Sequence, residues 1–304
     1  MPATKTILRY PGGKTQLYTF VQNILSLNSI KGRYVEPFAG GAGIAIELLL
    51  TGSISTITIN DLDKSIFAVW NAVIFHPESI IEKIKSVPFC YGKKNTLSSE
   101  NLISFWNKQK NIHENNKNDK YSLENAFSTL MLNRMNISGI ISGGPIGGRK
   151  QLGKYKIDSR FNKRTLIHKV ELISSKKNSI DLYNYDANEL ILKIKNEKKY
   201  EKDNTLIFFD PPYYQQGKNL YLSFINKNQH KNLAKNILSM NDYHWITTYD
   251  EAEQISDLYN SGQNQRYSYP LNYSANKRGT VNEFLFASQK TKLPLMDKFP
   301  LTEV

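Results

Sequence analysis

A short apolar strand that ends in an acid and two prolines constrains this chain more than any other stretch. Residues 205–209 are Thr-Leu-Ile-Phe-Phe, a composition typical of a strand buried in a parallel sheet. Asp210-Pro211-Pro212-Tyr213 follows directly. Because proline has no N–H for a sheet ladder, the strand must end there in a stiff loop. This loop has two possible interpretations. It can belong to a ligand site, because ligands bind at the carboxyl edge of open α/β sheets. It can also be a simple turn with a solvated acid, which is the more common meaning of a lone Asp-Pro.

Length and composition exclude several classes of protein. The 304 residues, 40% of them hydrophobic, suit one large domain or two small ones. No apolar run approaches the roughly 20 residues of a membrane span, and the amino terminus lacks a signal-peptide core. The single cysteine, Cys90, excludes an internal disulfide, and the five histidines show no metal-ligand spacing. We therefore expect a cytoplasmic protein without a bound metal.

The charge of the chain leaves two interpretations open. The net charge is +13, and an excess of this size indicates a polyanionic partner. A solvated lysine-rich surface, common in proteins of AT-rich genomes, gives the same excess. The sequence motifs are needed to distinguish a polyanionic partner from a solvated surface.

A glycine-rich turn near the amino terminus leads into a predicted helix. Arg9-Tyr-Pro-Gly-Gly-Lys14 precedes apolar positions with helical spacing over 15–25. The turn is not a phosphate-binding P-loop, because Leu8 stands where that motif needs a glycine. A lysine at a helix N-terminus can still bind a carboxylate.

A second glycine-rich turn indicates the first βα unit of a doubly wound sheet. A predicted strand ends at Val35, and the loop 38–43 turns into a helix over 44–50. The next strand ends at Asn60-Asp61, where such folds hold the hydroxyl groups of a ribose. Asp61 or Asp63 could instead cap the helix predicted over 64–75.

Residues 67–169 differ from the rest because they are polar and show few strand signals. We predict an inserted, mostly helical module with a flexible loop at 111–120 and a helix at 122–135. The stretch 136–161 is rich in glycine and basic residues, which suits either close contact with phosphates or an ordinary mobile loop. The predicted domains are therefore residues 1–66 with 170–304, and the insert 67–169.

The α/β pattern returns after the insert. A strand over 179–185 ends at Asp186, a strand over 243–249 ends at Asp250, and an antiparallel pair at 266–271 and 281–287 is expected to close the sheet edge. Four strand ends thus carry acids: Glu36, Asp61, Asp186 and Asp210. Carboxylates gathered at one edge suit a ligand with a cationic centre and several donors. S-adenosylmethionine has these groups, and Lys14 could meet its carboxylate.

Four blocks of the sequence, in this order, resemble one enzyme family. The blocks Arg9–Lys14, Val35–Gly43, Ile59–Asp61 and Asp210–Tyr214 are similar to those of the Dam-like DNA adenine-N6 methyltransferases (D12 class, α group). The resemblance spans nearly the whole chain. It implies a Rossmann-like S-adenosylmethionine-dependent methyltransferase sheet with an inserted, mainly helical DNA-recognition domain.

The resemblance also implies which residues hold the cofactor. Tyr10 and Lys14 would contact it, Phe38 and the glycines would line it, and Asp61 would hold the ribose. Asp186 would meet the adenine amine of the cofactor. The implied cofactor-binding residues are Tyr10, Lys14, Glu36, Phe38, Gly40, Asp61, Asp186 and Asp210.

The catalytic residues implied are Asp210, Pro211, Pro212 and Tyr213. The Asp210 carboxylate and the Pro211 carbonyl would accept the two N6 hydrogens of adenine and localise the nitrogen lone pair. The stiff prolines would fix these oxygens. The Tyr213 ring would stack on an adenine that is flipped out of the duplex.

The DNA-reading segment fits the family in part. Asn133-Arg134 matches the Asn-Arg pair that opens this segment in the family, and Pro145 and Gly147 retain a later turn. Ser138-Gly-Ile replaces the Asn-Gly-Leu of GATC-reading members, so the resemblance does not imply GATC specificity. The expected DNA contacts are Asn133, Arg134, Ser138, Arg149, Lys150, Lys277 and Arg278.

Three rival interpretations differ at single positions or in activity. At the position of Asp210, N4-cytosine methyltransferases usually carry Ser. Protein-glutamine methyltransferases usually carry Asn at the same position. A catalytically silent DNA-binding relative would have lost motifs that are intact here. The expected partner is double-stranded DNA, and a cognate restriction endonuclease is a second partner to be tested.

Overall fold

The computed structural model describes residues 5–9, 14–91, 97–214, 226–273, 279–297 and 299–304. The chain forms two compact units. We call residues 14–62 and 179–304 the sheet unit, and residues 63–178 with the described part of 1–13 the helical unit. The predicted insert 67–169 lies within the helical unit. Residues 5–9, which we assigned to the catalytic domain from the sequence, cluster with the helical unit as well.

The secondary structure contains ten α-helices and eight strands within the described ranges. The helices are α1 (Tyr18–Leu27), α2 (Gly43–Leu50), α3 (Lys64–Phe75), α4 (Pro77–Ser86), α5 (Ser99–Asn116), α6 (Leu123–Met135), α7 (Lys163–Ser174), α8 (Ala187–Asn196), α9 (Lys227–Leu238) and α10 (Glu253–Leu258). The strands are β1 (Arg33–Glu36), β2 (Thr56–Asn60), β3 (Ile180–Tyr183), β4 (Thr205–Phe209), β5 (His244–Asp250), β6 (Asn264–Tyr273), β7 (Gly279–Ser288) and β8 (Thr302–Glu303). Within the described ranges, none of the helices combines the length and the apolar composition that a membrane-spanning helix requires.

The described strands of the sheet unit form one sheet with the order β3-β2-β1-β4-β5-β7-β6-β8. The first five pair in parallel, and β7, β6 and β8 pair antiparallel. The chain runs from β1 outward through β2 to β3, and then returns to β4 on the other side of β1. The switch point therefore lies between β1 and β4, where ligands of doubly wound sheets bind. The predicted Rossmann-like α/β sheet is confirmed.

The strand β4 lies in the middle of the core, as its composition predicts. All five of its residues are buried. Ile207 and Phe209 face one side of the strand and join Trp245 of β5 and Leu190 of α8 in one apolar cluster. Full burial of side chains of this size contributes about 1.5–3 kcal/mol each, so the strand that precedes Asp210 is held rigidly.

The helical unit is built around α6. Every residue of α6 from Asn125 to Met135 is buried, which is characteristic of a helix surrounded by others. The Ser122 hydroxyl caps it by accepting the Asn125 N–H over 3.1 Å. The α6 hydroxyl of Thr129 lies 3.1 Å from Nδ1 of His113 on α5, so a polar side chain of this buried helix is paired.

The prediction of a flexible loop at 111–120 is wrong for its first half, because α5 continues to Asn116. Leu102, Trp106, Gln109 and His113 of α5 are buried at helical spacing. Their packing stabilises a segment whose Asn- and Lys-rich composition alone suggests disorder. Packing within the unit thus overrides local propensity here.

The predicted antiparallel pair at the end of the chain is present as β6 and β7. Strand β7 pairs with β5, and β6 lies outside it. The two-residue strand β8 pairs with β6 through Thr302 and Glu303, an addition that the sequence did not predict.

Candidate active site

The candidate site lies at the carboxyl ends of β1, β2 and β4. Strand β1 pairs in parallel with both β2 and β4. Glu36 is the last residue of β1, Asp61 follows β2, and Asp210 follows β4. Parallel pairing therefore brings three of the four predicted acids to one edge of the sheet at its switch point.

The Asn60 side chain ties together the loops that leave this edge. Its Nδ2 donates to the Pro37 carbonyl over 2.8 Å and to the Tyr185 carbonyl over 3.0 Å. Its Oδ1 accepts the Tyr185 N–H over 2.9 Å. Asn60 is buried, so three strong hydrogen bonds fix the chain after β1 to the chain after β3.

The glycine-rich turn after β1 is held by the acid after β2. Gly40 N–H donates to Oδ2 of Asp61 over 2.8 Å. Gly40 and Ala42 have φ values of +46° and +44°, and this left-handed backbone turns the chain sharply into α2. Phe38, partly buried, packs against the apolar cluster of the sheet.

Burial makes Glu36 a weak acid. Its Oε1 accepts the Ala45 N–H over 3.1 Å, in the first turn of α2. Burial raises the pKa of Glu36 to about 8, and the Asp210 charge adds to this, although the Ala45 hydrogen bond opposes it. Without a nearby ligand cation, Glu36 is therefore mostly protonated at neutral pH, and a cation would favour its ionised form.

Asp210 is held at one of its two carboxylate oxygens. The Thr248 hydroxyl of β5 donates to Oδ1 over 2.7 Å, and the Lys14 ammonium lies 3.6 Å from the same oxygen. The side chain is 25% exposed. Burial raises the pKa of Asp210, the Lys14 charge opposes that rise, and the Glu283 charge adds to it.

The loop Pro211–Tyr214 is anchored at both ends. Pro211 and Pro212 are buried, and the Tyr214 N–H donates to Oδ1 of Asp250 over 2.8 Å. Asp250 ends β5, the neighbour of β4. Thr248 thus fixes Asp210, the residue before the loop, and Asp250 fixes the last residue of the loop.

A buried glutamate that the sequence analysis missed organises the site. Glu283 of β7 is 1% exposed. Its Oε2 lies 2.5 Å from the Lys14 ammonium and accepts the Tyr269 hydroxyl, while its Oε1 accepts the Tyr213 hydroxyl. Lys14 also donates to the Tyr213 oxygen over 3.0 Å and lies 5.1 Å from the centre of that ring. Lys14, which we predicted as a cofactor contact, is therefore bound to Glu283 and Tyr213.

A sequence signal for Glu283 existed. Leu285 and Ala287 share its face of β7 and are buried. A charged residue on the inward face of an apolar strand needs a partner, and this marks a candidate functional position.

Two acids near strand ends cap helices. Asp63 caps α3 by accepting the Ser65 N–H over 2.7 Å, so the cap considered for Asp61 or Asp63 is made by Asp63. Asp186 caps α8 through Oδ1, which accepts the Asn188 N–H over 2.9 Å. Asp186 therefore has a structural role beside the cofactor role predicted for it.

Asn133 binds the backbone of Arg9 within the helical unit. Its Oδ1 accepts the Arg9 N–H over 2.8 Å. Its Nδ2 donates to the Arg9 carbonyl over 2.6 Å and to the Gly139 carbonyl over 2.9 Å. A β-carbon at Gly139 would lie 2.5 Å from the Arg9 carbonyl oxygen, and its φ is +80°, so only glycine fits there.

Arg134 is also turned inward. The guanidinium donates to the Ile7 carbonyl, and the residue is 9% exposed. Burial lowers the pKa of Arg134 to about 9, and the charges of Arg9 and Arg160 add to this. The Lys169 ammonium donates to the Thr6 carbonyl over 2.8 Å. Asn133, Arg134 and Lys169 thus bind the backbone of residues 6, 7 and 9, which we call the Thr6–Arg9 segment.

The remaining described DNA candidates are accessible. Arg149 and Lys150 are exposed, and Ser138 is half-buried with φ +56°. The exposed loop is fixed from within by Gln151, whose Nε2 donates to the Ile146 carbonyl over 2.8 Å. Seven lysines and arginines and one acid stand between positions 149 and 164.

The positive charge of the chain belongs to one unit. The segments of the helical unit contain 22 Lys and Arg against 9 Asp and Glu, and those of the sheet unit contain 18 of each. The whole net charge of +13 therefore resides in the helical unit, while the sheet unit is neutral.

The predicted residues divide between the two units. The sheet unit holds Lys14, Glu36, Phe38, Gly40, Asp61, Asp186, Asp210, Pro211, Pro212 and Tyr213, and the helical unit holds Asn133, Arg134, Ser138, Arg149 and Lys150. Tyr10, Lys277 and Arg278 lie outside the described residues. Within the described ranges no group of His, Cys, Asp or Glu could hold a metal ion.

The sequence of the chain matches one family of known proteins. Residues 10–274 match the sequence model of the D12 class N6 adenine-specific DNA methyltransferases. The chain is 23% identical over 213 residues to the Type II methyltransferase M.MjaIII of Methanocaldococcus jannaschii, covering 69% of each protein. Two structures of the rRNA methyltransferase aviRa of Streptomyces viridochromogenes align with TM-scores of 0.40 and 0.37 at 10% and 12% identity. They cover 95% and 92% of this chain and 91% and 87% of theirs.

Proposed function

The chain belongs to the D12 class of N6 adenine-specific DNA methyltransferases, and from this premise we propose how its residues hold the methyl donor and the target base. The reaction is transfer of a methyl group to N6 of adenine in DNA. We infer that S-adenosylmethionine is the donor, bound at the carboxyl edge of the sheet. We also infer that the target adenine is flipped out of the duplex to reach Asp210.

The charges at this edge support a cationic donor. Glu36, Asp61 and Asp210 lie at the switch point, and among the described residues Lys14 is the cation whose charge lowers the pKa of Asp210. When bound, S-adenosylmethionine supplies a methyl group that its sulphonium makes electrophilic. Glu36 and Asp61 would hold its ammonium and its ribose hydroxyls.

Three other residues would orient the donor. Phe38 and the backbone of Gly40 would line the site, since both belong to the turn that Asp61 fixes. Asp186 uses Oδ1 for its helix cap, so we assign its Oδ2 to the adenine amine of the donor. Lys14 would meet the donor carboxylate with the ammonium that now binds Glu283.

The geometry of Asp210 is the observation that carries the proposed catalysis. Thr248 and Lys14 both approach Oδ1, and no contact in the described part of the chain uses Oδ2. We assign Oδ2 and the Pro211 carbonyl to the two N6 hydrogens of adenine. Two fixed acceptors draw N6 toward tetrahedral geometry and localise its lone pair as positive charge develops.

Tyr213 would stack on the flipped adenine. Its hydroxyl is fixed by Glu283, which holds the ring in one orientation. The residue is 3% exposed, so entry of the base requires the groups that cover the ring to move. The ring and the two acceptor oxygens would hold N6 facing the methyl group that the donor supplies.

The activity is tested with methyl-labelled S-adenosylmethionine and mixed-sequence duplex DNA. We expect label in N6-methyladenine after nucleoside analysis. Label in N4-methylcytosine, label in protein alone, or no transfer at all would contradict the assignment. Long-read modification mapping of the same DNA identifies the sequence that is methylated.

The helical unit supplies the proposed DNA interface because it carries the net positive charge. We predict that the double change Arg149→Ala and Lys150→Ala weakens DNA binding and lowers the slope of log affinity against log salt by about 2, since each lost phosphate contact removes roughly 0.9. Fluorescence anisotropy from low to high salt measures this slope. Lys231→Ala, an exposed lysine of the sheet unit, is the matched control, and an equal change in both variants would refute the interface.

We also infer a cognate restriction endonuclease as a partner. The support is that M.MjaIII, the relative named above, is a Type II methyltransferase. The proposal requires a nuclease in the source cell that cuts the mapped sequence when it is unmethylated. Failure of cell extract to cut unmethylated DNA at that sequence would count against it.

A further inference from the structure

Two carboxylates compete for one ammonium group in the sheet unit. The Lys14 Nζ atom lies 2.5 Å from Glu283 Oε2 and 3.6 Å from Asp210 Oδ1. Lys14 and Glu283 are both buried, so bulk water screens this competition weakly. The glutamate holds the ammonium at hydrogen-bonding distance, and the aspartate does not.

We propose that Glu283 is a positioning residue that keeps Lys14 off Asp210, so that no ammonium is bound to the Asp210 carboxylate when it accepts the amine of the target base. The inference rests on the proposed role of Asp210 in methyl transfer. It gives a function to Glu283, a residue of β7 that lies outside the four sequence blocks.

The separation matters because of the charge that the reaction creates. The attacking nitrogen becomes positive as the new N–C bond forms, and a free carboxylate stabilises that charge. An ammonium bound tightly to Asp210 would occupy an acceptor position and cancel the charge. Electrostatic energy falls with the inverse of distance, so moving Lys14 from 3.6 Å to contact strengthens this unwanted pair.

The surroundings of Glu283 suit this task. Tyr269 of β6 lies directly opposite it in the antiparallel register and donates to Oε2. Tyr213 donates to Oε1 from the other side of the carboxylate. With donors on both oxygens, Glu283 stays in one orientation and presents Oε2 to Lys14.

Glu283→Gln tests the proposal with little change in shape. Glutamine keeps one acceptor oxygen for a tyrosine hydroxyl but offers Lys14 no negative charge. We expect kcat to fall about 10- to 100-fold, with DNA affinity and melting temperature close to those of the wild type. Asp181→Asn is the matched control, because it removes a sheet carboxylate that pairs with the cation Arg33 at 2.5 Å away from the site. Equal losses of activity in the two variants would overturn the proposal.

A double-mutant cycle shows whether Glu283 acts through Lys14. Lys14→Met alone is expected to weaken cofactor binding. In the Lys14→Met background, Glu283→Gln should cost less than about twofold in kcat, because no ammonium remains to move onto Asp210. A cost as large as in the wild-type background would mean that Glu283 acts by another route.

The pH profile gives a signature that a purely structural role would not. Glu283 raises the pKa of Asp210 and Lys14 lowers it. Loss of the Glu283 charge and approach of Lys14 therefore both lower that pKa, and the acid limb of kcat should move to lower pH in Glu283→Gln. An unmoved limb would contradict the proposal.

A crystal structure of Glu283→Gln decides the question without an activity assay. We expect Lys14 Nζ within about 3.2 Å of an Asp210 oxygen, and a lysine that keeps its present distance would overturn the proposal. If the wild-type protein fails to methylate DNA, the proposed function fails, and this structure still tests the competition for Lys14.

Discussion

Asp210→Ala is expected to lose methyl transfer, with kcat at least about 1,000-fold lower, while DNA affinity stays within about twofold. The reason is geometric: alanine removes the acceptor and its contact with Thr248, but the loop beyond keeps its anchor at Asp250. Single-turnover transfer measures the loss, and fluorescence anisotropy measures DNA binding.

The acid limb of the wild-type pH profile should lie above the usual range of an aspartate, since burial raises the pKa of Asp210 and protonation removes the acceptor.

Asp210→Asn is the stricter version of this experiment. Asparagine keeps the shape and the Oδ1 acceptor for Thr248 but loses the negative charge. We expect nearly the same loss as with alanine. Near-normal activity of Asp210→Asn would show that the charge is dispensable, and parallel loss of activity and DNA binding in Asp210→Ala would indicate a role in folding.

Arg134→Ala is expected to lower the free energy of unfolding by about 2–4 kcal/mol. The side chain is buried and its guanidinium binds the Ile7 carbonyl, so alanine leaves a cavity and an unpaired carbonyl. DNA binding should fall because the Thr6–Arg9 segment loses part of its support. Urea unfolding measures the stability, and the salt dependence of DNA affinity separates the two roles that this residue could have.

The sequence predicts Arg134 as a direct DNA contact, and its burial favours an internal role. With an internal role the salt slope of Arg134→Ala stays at the wild-type value, in contrast to Arg149→Ala, an exposed neighbour in the same unit. A slope lowered by about 1 with unchanged stability would establish Arg134 as a phosphate contact. Arg134→Lys, which keeps the charge and one donor, should recover part of the stability.

Local signals were sufficient for much of the fold. Helix α3 begins at Lys64 and ends at Phe75, as predicted, with an acid before it as its cap. Strand β4 begins at Thr205 and ends at Phe209, because prolines stop a ladder whatever surrounds it. The acids at the carboxyl ends of β1, β2 and β4 lie at one edge because parallel strands end there.

Features that depend on distant pairing could not be derived in the same way. Glu283 reaches Lys14 only through the order β5-β7-β6, and no local pattern specifies that order. The inward turn of Arg134 depends on the Ile7 carbonyl, more than a hundred positions earlier. Helix α5 likewise continues to Asn116 because His113 meets Thr129 of α6, a contact between segments that are only close after folding.

The confinement of the excess charge to the helical unit has an evolutionary consequence. The sheet unit has as many acidic as basic residues. Its net charge therefore provides no attraction for DNA. With the proposed DNA interface in the helical unit and the proposed chemistry at Asp210, substitutions that change which bases are read can accumulate apart from the catalytic residues. On this proposal, such a chain can acquire a new target sequence through changes in the helical unit and keep the same reaction.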